Sequence, residues 1–276
     1  MKPAKFDYAR PDTVEEALDL LAHHGDDARV LAGGQSLAAI LNMRLASPRV
    51  LVDISQIEAL QTVATVDRAI DVGATITQDR LLRWEGLAAQ PLLTTVVPWI
   101  GHPQTRQRGT VCGSLAHGDP SSELPLALAT LGGSVILRNA QRTRMLPAAK
   151  FQTGAMRTAL EPGEMIVTSR FPVAKDGQIF RFHEVSPRRG DFAIVAVAVV
   201  ADPEGVTVGI GGVGDTPNVR RFEWLETDAF ADAMNDFAWD LHGTSDVHAT
   251  AETRRGLVRR LGTKLIGEAR DALPNG

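Results

Sequence analysis

Two glycine-containing loops carry the residues of this chain best suited to bind an anion. The first, over residues 32–37, reads AGGQSL, and the second, over residues 109–114, reads GTVCGS. Each leads towards a helix-like segment, so its main-chain N–H groups and the positive end of a helix dipole could face one ligand. Both loops therefore suit a phosphate or pyrophosphate. The first also fits a tight strand-to-helix turn capped by Ser36, which needs no ligand.

Together, the two loops could hold one pyrophosphate from both sides. Neither is followed by the Lys-Ser/Thr pair of a phosphoryl-transfer loop. Asp53 lies about 20 residues after Gly33, the spacing of a Rossmann ribose ligand, but LVDIS reads better as the end of a strand. The pattern favours a dinucleotide held by a fold other than the Rossmann or P-loop fold. In such a site, a Cβ atom at Gly33 or Gly34 would occupy the approach of the pyrophosphate.

The composition excludes several other kinds of site. Cys112 is the one cysteine, so an internal disulfide, a Cys-x-x-Cys zinc site and a self-contained iron–sulfur cluster are impossible. The seven histidines lack a metal-binding spacing, and we predict no metal. A net charge of −4 gives no sign of a nucleic-acid partner. The absence of a signal-peptide core and of a long apolar run predicts a cytoplasmic protein without a transmembrane segment.

The elements that position the first loop form a predicted β-α-β unit. Thr13 and Glu16 make a capping box ahead of a helix that Gly25 can end. The apolar face of this helix comprises Val14, Ala17, Leu18 and Leu21. Residues 28–32 and 49–55 read as buried strands that pair in parallel through a helix over residues 36–46. The inward side chains of that second helix are Leu37, Ile40, Leu41 and Leu45.

The elements around the second loop are less regular. A hairpin turning at Asp67 and Arg68, a short helix capped by Thr77 and a helical segment over residues 91–100 are predicted first. Residues 101–125 have the weakest periodicity, and we expect a long irregular loop there, of the kind that is often functional. A helix over residues 124–133 and strands over residues 134–139 and 165–173 follow.

A polar turn between Lys175 and Gln178 predicts the boundary between two domains, 1–175 and 176–276. After it, IFRFHEV, FAIVAVAVVAD and GVTVGIGGVG predict a three-stranded antiparallel sheet. Two helices are predicted over residues 222–241 and 247–269. The chain is therefore predicted to be α+β.

Several motifs occur together in a fixed order: LAGGQSLAAILNMRLASPRVLVDIS, RGTVCGSLAHGDPSSELP, EPGEMI and RRGDFAIVAVAV. In this arrangement the sequence resembles the FAD-binding medium subunit of molybdenum hydroxylases, the carbon monoxide dehydrogenase and xanthine dehydrogenase family. GGVGDTP and AETRRGLVRRL are similar to the family's C-terminal domain, so the resemblance spans essentially the whole chain. It implies a vanillyl-alcohol-oxidase-type (PCMH-type) FAD-binding domain followed by a smaller C-terminal domain.

The resemblance also implies which residues contact FAD. The implied set is Ala32, Gly33, Gly34, Gln35, Ser36, Leu37, Gly109, Thr110, Val111, Cys112, Gly113, Ser114, Asp119, Ile166 and Phe192. Asp119 matches an acidic residue near the sugar or ribityl hydroxyls of FAD; the alternative is a turn-forming Asp before Pro120. Phe192 falls where some relatives have a tyrosine beside the isoalloxazine ring; the alternative is core packing.

Cys112 stands where a glycine is more usual in the family. A nucleophilic thiol would need a base, and His117 or His102 could serve. A compact apolar side chain beside the cofactor is the simpler interpretation. His102, His117 and His183 are possible flavin neighbours, or hydrogen-bonding residues of loops and surfaces.

By the resemblance, this chain is an electron-transfer subunit with no catalytic residues of its own for substrate hydroxylation. Its FAD would take electrons from a small subunit with two [2Fe-2S] clusters, which in turn serves a large subunit with the molybdenum cofactor, in a heterotrimer that dimerises. The alternatives are a self-sufficient FAD oxidoreductase and a non-enzymatic nucleotide-binding module. A basic series on the last helix would be a solvated face or a docking face for another subunit. It comprises Arg254, Arg255, Arg259, Arg260 and Lys264.

Overall fold

The structure, a computed structural model, describes residues 2–274. The helices are α1 (Val14–His24), α2 (Leu37–Asn42), α3 (Gln78–Leu82), α4 (Pro91–Val96), α5 (Pro103–Arg108), α6 (Val111–His117), α7 (Glu123–Thr130), α8 (Ala148–Phe151), α9 (Thr227–Asp240) and α10 (Ala251–Arg270). The strands of the first half are β1 (Asp7–Ala9), β2 (Ala28–Leu31), β3 (Val50–Asp53), β4 (Val63–Val66), β5 (Ala69–Gly73), β6 (Ser134–Arg138) and β7 (Thr143–Pro147). Those of the second half are β8 (Gln152–Gly154), β9 (Arg157–Thr158), β10 (Met165–Pro172), β11 (Ile179–Val185), β12 (Val195–Asp202), β13 (Gly205–Gly211) and β14 (Asn218–Glu223).

A small parallel sheet, ordered β1-β3-β2, places the first glycine loop at the end of β2. The predicted parallel β-α-β unit is confirmed. Helix α1 begins as predicted, because Thr13 Oγ1 accepts the Glu16 N–H at 3.1 Å. The Glu16 carboxylate accepts from the Asp12 N–H instead of closing the capping box on Thr13. The four predicted apolar residues of α1 are buried.

Helix α2 is shorter than predicted and ends at Asn42. Arg44 has a positive φ of 57°, so the chain turns away before the predicted helix is complete. The inward assignment of Leu45 is therefore wrong, since Leu45 is 73% exposed. Ser36 already has helical backbone angles, and its hydroxyl caps nothing. The capped-turn alternative for Ser36 is wrong as well.

A five-stranded antiparallel sheet, ordered β4-β5-β10-β6-β7, forms the centre of the N-terminal part. The predicted hairpin between β4 and β5 is confirmed, with Asp67 and Arg68 both at positive φ, the geometry of a tight two-residue turn. Arg170 on β10 binds both carboxylate oxygens of Asp71 on the adjacent β5, at 2.7 and 2.9 Å. Helix α6, which carries most of the second glycine loop, packs against β5 and β10 of this sheet.

The predicted irregular loop over residues 101–125 is largely helical, which corrects the expectation. It contains α5, α6 and the start of α7. Helices of six and seven residues are too short for a periodic pattern to emerge, and the glycines around them mimic loop composition. Thr110 begins α6 by accepting the Gly113 N–H at 3.0 Å, and Gly118 ends it in the left-handed conformation.

The C-terminal part is an antiparallel sheet, ordered β11-β12-β13-β14, with α9 and α10 on one face. It has one strand more than predicted. Strand β14 ends with Phe222 and Glu223, which were assigned to the start of a helix, and α9 begins only at Thr227. The alternating exposure along β14 is the signal that favours a strand there. Within residues 2–274 no helix is both long and apolar enough to span a bilayer.

The two faces of this sheet belong to different hydrophobic clusters. Val195, Val197 and Val199 of β12 pack with α9 and α10. Phe180 and Phe182 of β11 instead join the large core of the N-terminal part. The C-terminal sheet thus packs directly on the N-terminal part, while the boundary at residue 175 stays a prediction.

Candidate functional site

A cleft of about 830 Å³ opens between the two glycine loops, within the size range of cofactor sites. Thirteen predicted cofactor residues line it. They are Ala32, Gly33, Gly34, Gln35, Ser36, Leu37, Gly109, Thr110, Cys112, Gly113, Ser114, Ile166 and Phe192. Val111 and Asp119 do not line it: Val111 is buried in the core, and Asp119 lies in the turn after α6. The structure brings together loops that lie far apart in the sequence.

The two loops touch each other at Gly33. A Cβ atom at Gly33 would overlap the Arg108 carbonyl oxygen and lie 2.9 Å from Gly109 Cα. The expected reason for glycine at this position is therefore wrong, because the space that a side chain would fill belongs to the second loop and not to the cleft. Gly33 joins the two halves of the site by allowing backbone to meet backbone.

The first loop presents main-chain donors that the protein leaves unused. Among the described residues, the N–H groups of Gly34, Gln35 and Ser36 have no hydrogen-bond acceptor. Gly34 has φ +71°, a left-handed conformation that L side chains rarely adopt. Successive unused N–H groups in residues that line a cleft at the start of α2 suit an anionic oxygen.

The second loop is anchored by hydrogen bonds to residues 76–78, at the start of α3. The Gln78 N–H donates to the Gly109 carbonyl at 2.9 Å, and the Val111 N–H donates to the Ile76 carbonyl at 3.0 Å. The side-chain oxygen of Gln78, which lines the cleft, is buried and has no partner among the described residues. An orphaned buried acceptor and unused donors in residues that line one cleft fit a polar ligand.

Cys112 is a buried side chain of α6, and its Sγ lies 3.5 Å from the Val72 carbonyl oxygen and from Ser169 Oγ. Burial raises the pKa of the Cys112 thiol to about 12. A thiol with this pKa is protonated at neutral pH, which argues against the nucleophilic alternative. Cys112 instead packs as a compact side chain at the cleft wall.

The predicted histidines divide between the cleft and its surroundings. His102 and His117 line the cleft. His183, on β11, packs edge-to-face against Trp99 with ring centroids 5.4 Å apart and does not line it.

Glu123, rather than Asp119, brings a carboxyl group to the cleft. Asp119 Oδ1 accepts the Ser121 N–H at 2.8 Å, which is the turn-forming role. Burial, and to a smaller extent the charge of Asp119, raises the pKa of Glu123 to about 7. Sequence reasoning missed Glu123; its signal is a charged side chain at the start of the otherwise apolar helix ELPLALAT.

The wall that contains Ile166 is held by an ion pair whose carboxylate is buried. Arg144 donates from Nε and Nη2 to the two carboxylate oxygens of Glu164, each at 2.7 Å. The Glu164 side chain is fully buried and also accepts the Glu161 N–H at 2.9 Å. Burial works against ionisation, yet these hydrogen bonds hold the pKa of Glu164 below its ordinary value.

The C-terminal part supplies one edge of the cleft through Phe192, which is 65% exposed. The core-packing alternative for Phe192 is therefore wrong. Gly190 lies against the backbone of Gly101, where an added Cβ would be 3.0 Å from the carbonyl oxygen. The loop from β11 thus reaches across to the N-terminal part.

Arg254 is not part of a solvated basic face, since it is only 5% exposed. Its guanidinium donates to the carbonyls of Ile194 and Gly212 at 2.6 and 2.5 Å and pairs with Asp246 at 2.5 Å. These contacts fix the chain just after Phe192. Arg255 lies over the Trp239 ring, 4.0 Å from its centroid.

The cleft between the two facing glycine loops suits an extended anionic cofactor, in a fold that is neither the Rossmann nor the P-loop fold. Residues 4–174 match the family model described as the FAD binding domain in molybdopterin dehydrogenase. The chain belongs to this family.

Several relatives and solved structures match this chain over most or nearly all of its length. The chain is 35% identical to the 6-hydroxypseudooxynicotine dehydrogenase complex subunit alpha of Paenarthrobacter nicotinovorans, over 98% of this chain and 96% of that one. It is 36% identical to the carbon monoxide dehydrogenase medium chain of Afipia carboxidovorans, over 79% of this chain and 77% of that one. A chain of reconstituted CO dehydrogenase from Oligotropha carboxidovorans superposes with a TM-score of 0.93 at 31% identity, covering 99% of this chain and 100% of that one.

These matches confirm the predicted fold class and the predicted family. The chain is an FAD-binding oxidoreductase subunit of the multi-subunit molybdenum hydroxylases. The cleft residues fit FAD on the structure's own terms, through the unused N–H donors of the first loop and the orphaned oxygen of Gln78.

Proposed function

We propose that the FAD pyrophosphate lies between residues 33–36 and residues 110–114, bound by main-chain N–H groups. The observation that carries this placement is the contact of the two loops at Gly33, next to three unused N–H donors. A pyrophosphate there would meet donors that are already oriented and would require no buried positive side chain.

The other parts of FAD meet the remaining residues of the cleft. Glu123 accepts hydrogen bonds from sugar or ribityl hydroxyls, the role that the resemblance gave to Asp119, because Glu123 lines the cleft and Asp119 does not. Phe192 covers the outer edge of the ring system as an apolar side chain without a hydrogen-bonding hydroxyl. Ile166 packs from the wall held by Arg144 and Glu164.

Within the enzyme, this chain passes electrons onward and does not hydroxylate the substrate. FAD supplies chemistry that exchanges electrons one at a time with clusters and two at a time with an acceptor. The protein's own residues hold the cofactor and leave another edge of its ring system accessible to the electron donor. The electrons come from a small subunit with two [2Fe-2S] clusters that also contacts a large molybdenum subunit, in a heterotrimer that dimerises.

The substrate is selected outside this chain. Relatives of comparable similarity carry the names of chemically unrelated substrates, 6-hydroxypseudooxynicotine and carbon monoxide. A subunit that contacted the substrate would need different contact residues in these two relatives. Among the described residues no observation favours the alternative of a self-sufficient oxidoreductase.

Purification from the native host, with and without the partner subunits, tests the proposal. We expect stoichiometric FAD on the isolated chain, reduction of that FAD on adding the substrate-reduced complex, and negligible turnover of substrate by the chain alone. A chain that takes up no FAD would overturn the binding site. Full hydroxylase activity by the isolated chain would overturn the subunit role.

A further inference from the structure

A second carboxyl group lies buried behind the cleft. Glu184 is on β11 opposite Ala196 of β12, on the sheet face that carries Phe180 and Phe182. It is 3% exposed, and neither carboxyl oxygen has a hydrogen-bond partner among the described residues. A buried polar group without a partner is costly and calls for an explanation.

The groups packed against this face leave Glu184 without a cation. Helix α4 carries no ionisable residue, and Glu123 is the only ionisable residue of α7. Strand β13 has none, and Asp202 at the end of β12 is paired with Arg221.

The remaining charged groups near Glu184 either bind other residues or lie on the opposite face of the C-terminal sheet. Arg181 of β11 donates to the Glu268 carbonyl of α10, on the opposite face. In the loop after β11, Arg188 pairs with Asp191, and Arg189 lies over the Trp99 ring. The charges of α10 are separated from Glu184 by the sheet. His102 and His117 line the cleft, and His183 of β11 packs against Trp99.

Glu184 is therefore an acid that keeps its proton at neutral pH. Burial raises its pKa to about 8, and the charge of Glu123 contributes to this rise. Glu184 is in register with Ala196 of β12, which is in register with Gly211 of β13. A Cβ added at Gly211 would lie 3.2 Å from Leu126 Cδ2 and 3.5 Å from the Pro120 carbonyl oxygen, so the first turn of α7, which carries Glu123, packs against this row of the sheet. A protonated carboxyl has one O–H to donate, and Glu123 is the interacting acceptor that reaches the cleft.

We propose that Glu184 is a positioning residue, whose neutral carboxyl donates a hydrogen bond to Glu123 and turns the Glu123 carboxylate towards the FAD hydroxyls. The two carboxyl groups then share one proton. One group comes from helix α7 of the N-terminal part and the other from strand β11 of the C-terminal part. The inference rests on the proposed position of FAD in the cleft.

The arrangement makes FAD binding sensitive to the proton on Glu184. When Glu184 loses this proton to solvent, Glu123 loses its donor and two like charges face each other beside a cofactor that carries two phosphates. FAD affinity should then fall as pH rises above the pKa of Glu184, by at most about tenfold per pH unit for one coupled proton.

The test is a titration of the FAD-depleted full chain with FAD, followed by flavin fluorescence from about pH 6 to about pH 9.5. The variants are Glu184→Gln, which keeps a donor but cannot ionise, and Glu184→Leu, which keeps neither property. Glu223→Gln, an exposed residue on β14 at the far edge of the same sheet, is the matched control.

For the wild type and Glu223→Gln, we expect the FAD dissociation constant to rise at least about fivefold between pH 7 and pH 9. Glu184→Gln should match the wild type at pH 7 and lose the alkaline rise, whereas Glu184→Leu should bind FAD more weakly at both pH values. The inference is overturned if Glu184→Gln shows the same alkaline rise as the wild type, or if no rise occurs. Absence of FAD binding at every pH would instead overturn the proposed function.

A measurement on the unsubstituted, FAD-depleted chain covers the case in which the variants do not fold. Infrared spectra should show the carbonyl band of a protonated carboxylic acid at pH 7, and this band should disappear around pH 8. Complete ionisation of every carboxyl below about pH 6 would contradict the inference.

Discussion

Gly34 has a left-handed backbone that L side chains rarely adopt, and an added Cβ would lie 3.3 Å from Leu31 Cδ1. Gly34→Ala should lose FAD while the chain stays folded, because strain of about 1–2 kcal/mol would distort the donors of the first loop. FAD content after purification measures the loss, and thermal unfolding measures the stability.

Gly177→Ala is the matched control for that change. Gly177 has a similar φ of +78°, has no atom within 4 Å of an added Cβ, and lies outside the cleft. We expect a comparable loss of stability with full FAD content. Equal FAD content in both variants would argue against the pyrophosphate position.

Cys112 should behave as an inert core residue. With its pKa at about 12, the thiol should resist alkylation at pH 8 in the folded chain and react once the chain is unfolded in urea. Cys112→Ser should retain FAD and electron transfer. Rapid alkylation of the native chain, or loss of electron transfer in the variant, would restore a chemical role for the thiol.

The pKa values of Glu123 and Glu184 predict how stability depends on pH. Both lie above the ordinary carboxyl value, at about 7 and about 8, so between about pH 4.5 and 8 the folded chain holds protons that the unfolded chain has released. The free energy of unfolding should therefore fall as pH rises through this range, by about 1.4 kcal/mol for each unit of pKa shift, and level off above it. Urea unfolding across the range tests this, and Glu184→Gln should show a shallower fall. A stability that rises across this window would contradict the prediction.

At the scale of elements, the wall formed by residues 161–166 depends on one ion pair. Arg144→Met would leave the fully buried Glu164 carboxylate unpaired, and we expect a loss of about 3 kcal/mol in the free energy of unfolding together with weaker FAD binding. Urea unfolding and FAD titration are the measurements.

Arg138→Met provides the comparison for the Arg144 variant. Arg138 pairs with Glu15 at the surface, where the two side chains are 36% and 66% exposed. Removing this exposed pair should cost less than about 1 kcal/mol and leave FAD binding unchanged. Similar losses in both variants would mean that the Glu164 pair does not support the wall.

The elements that the sequence predicted well are those specified by local chemistry. Helix α1 has a cap and a regular apolar face, and the β4-β5 hairpin has a compact polar turn at Asp67 and Arg68. Helices α5 and α6 were missed because each is about two turns long and rich in polar or glycine residues. Strand β14 was missed because its last residues, Phe222 and Glu223, also suit the start of the helix that follows.

The site itself was predicted only in part, for a similar physical reason. The glycine loops are recognisable one at a time, but the contact of Gly33 with Arg108 links residues far apart in the chain. Whether Asp119 or Glu123 lines the cleft depends on how the turn after α6 faces, and the pair of Arg144 and Glu164 depends on how β7 lies against the turn before β10. Contacts of this kind are set by tertiary packing and leave no local pattern in the sequence.

At the scale of the whole molecule, both parts of the chain build the site. Phe192 from the C-terminal part should shield the bound flavin at the cleft edge, so Phe192→Ala should increase quenching of flavin fluorescence by iodide. Val247→Ala, at a residue that is 95% exposed and outside the cleft, is the control and should change nothing. Unchanged quenching in Phe192→Ala would place the ring system elsewhere.

The central claim is that FAD lies across the cleft with its pyrophosphate between the two glycine loops. A crystal structure of the full chain with bound FAD tests it most directly. The account predicts pyrophosphate oxygens within hydrogen-bonding distance of the N–H groups of Gly34, Gln35 and Ser36, facing residues 110–114, with a hydroxyl of FAD on Glu123. A pyrophosphate bound away from these loops, or FAD bound outside the cleft, would contradict it.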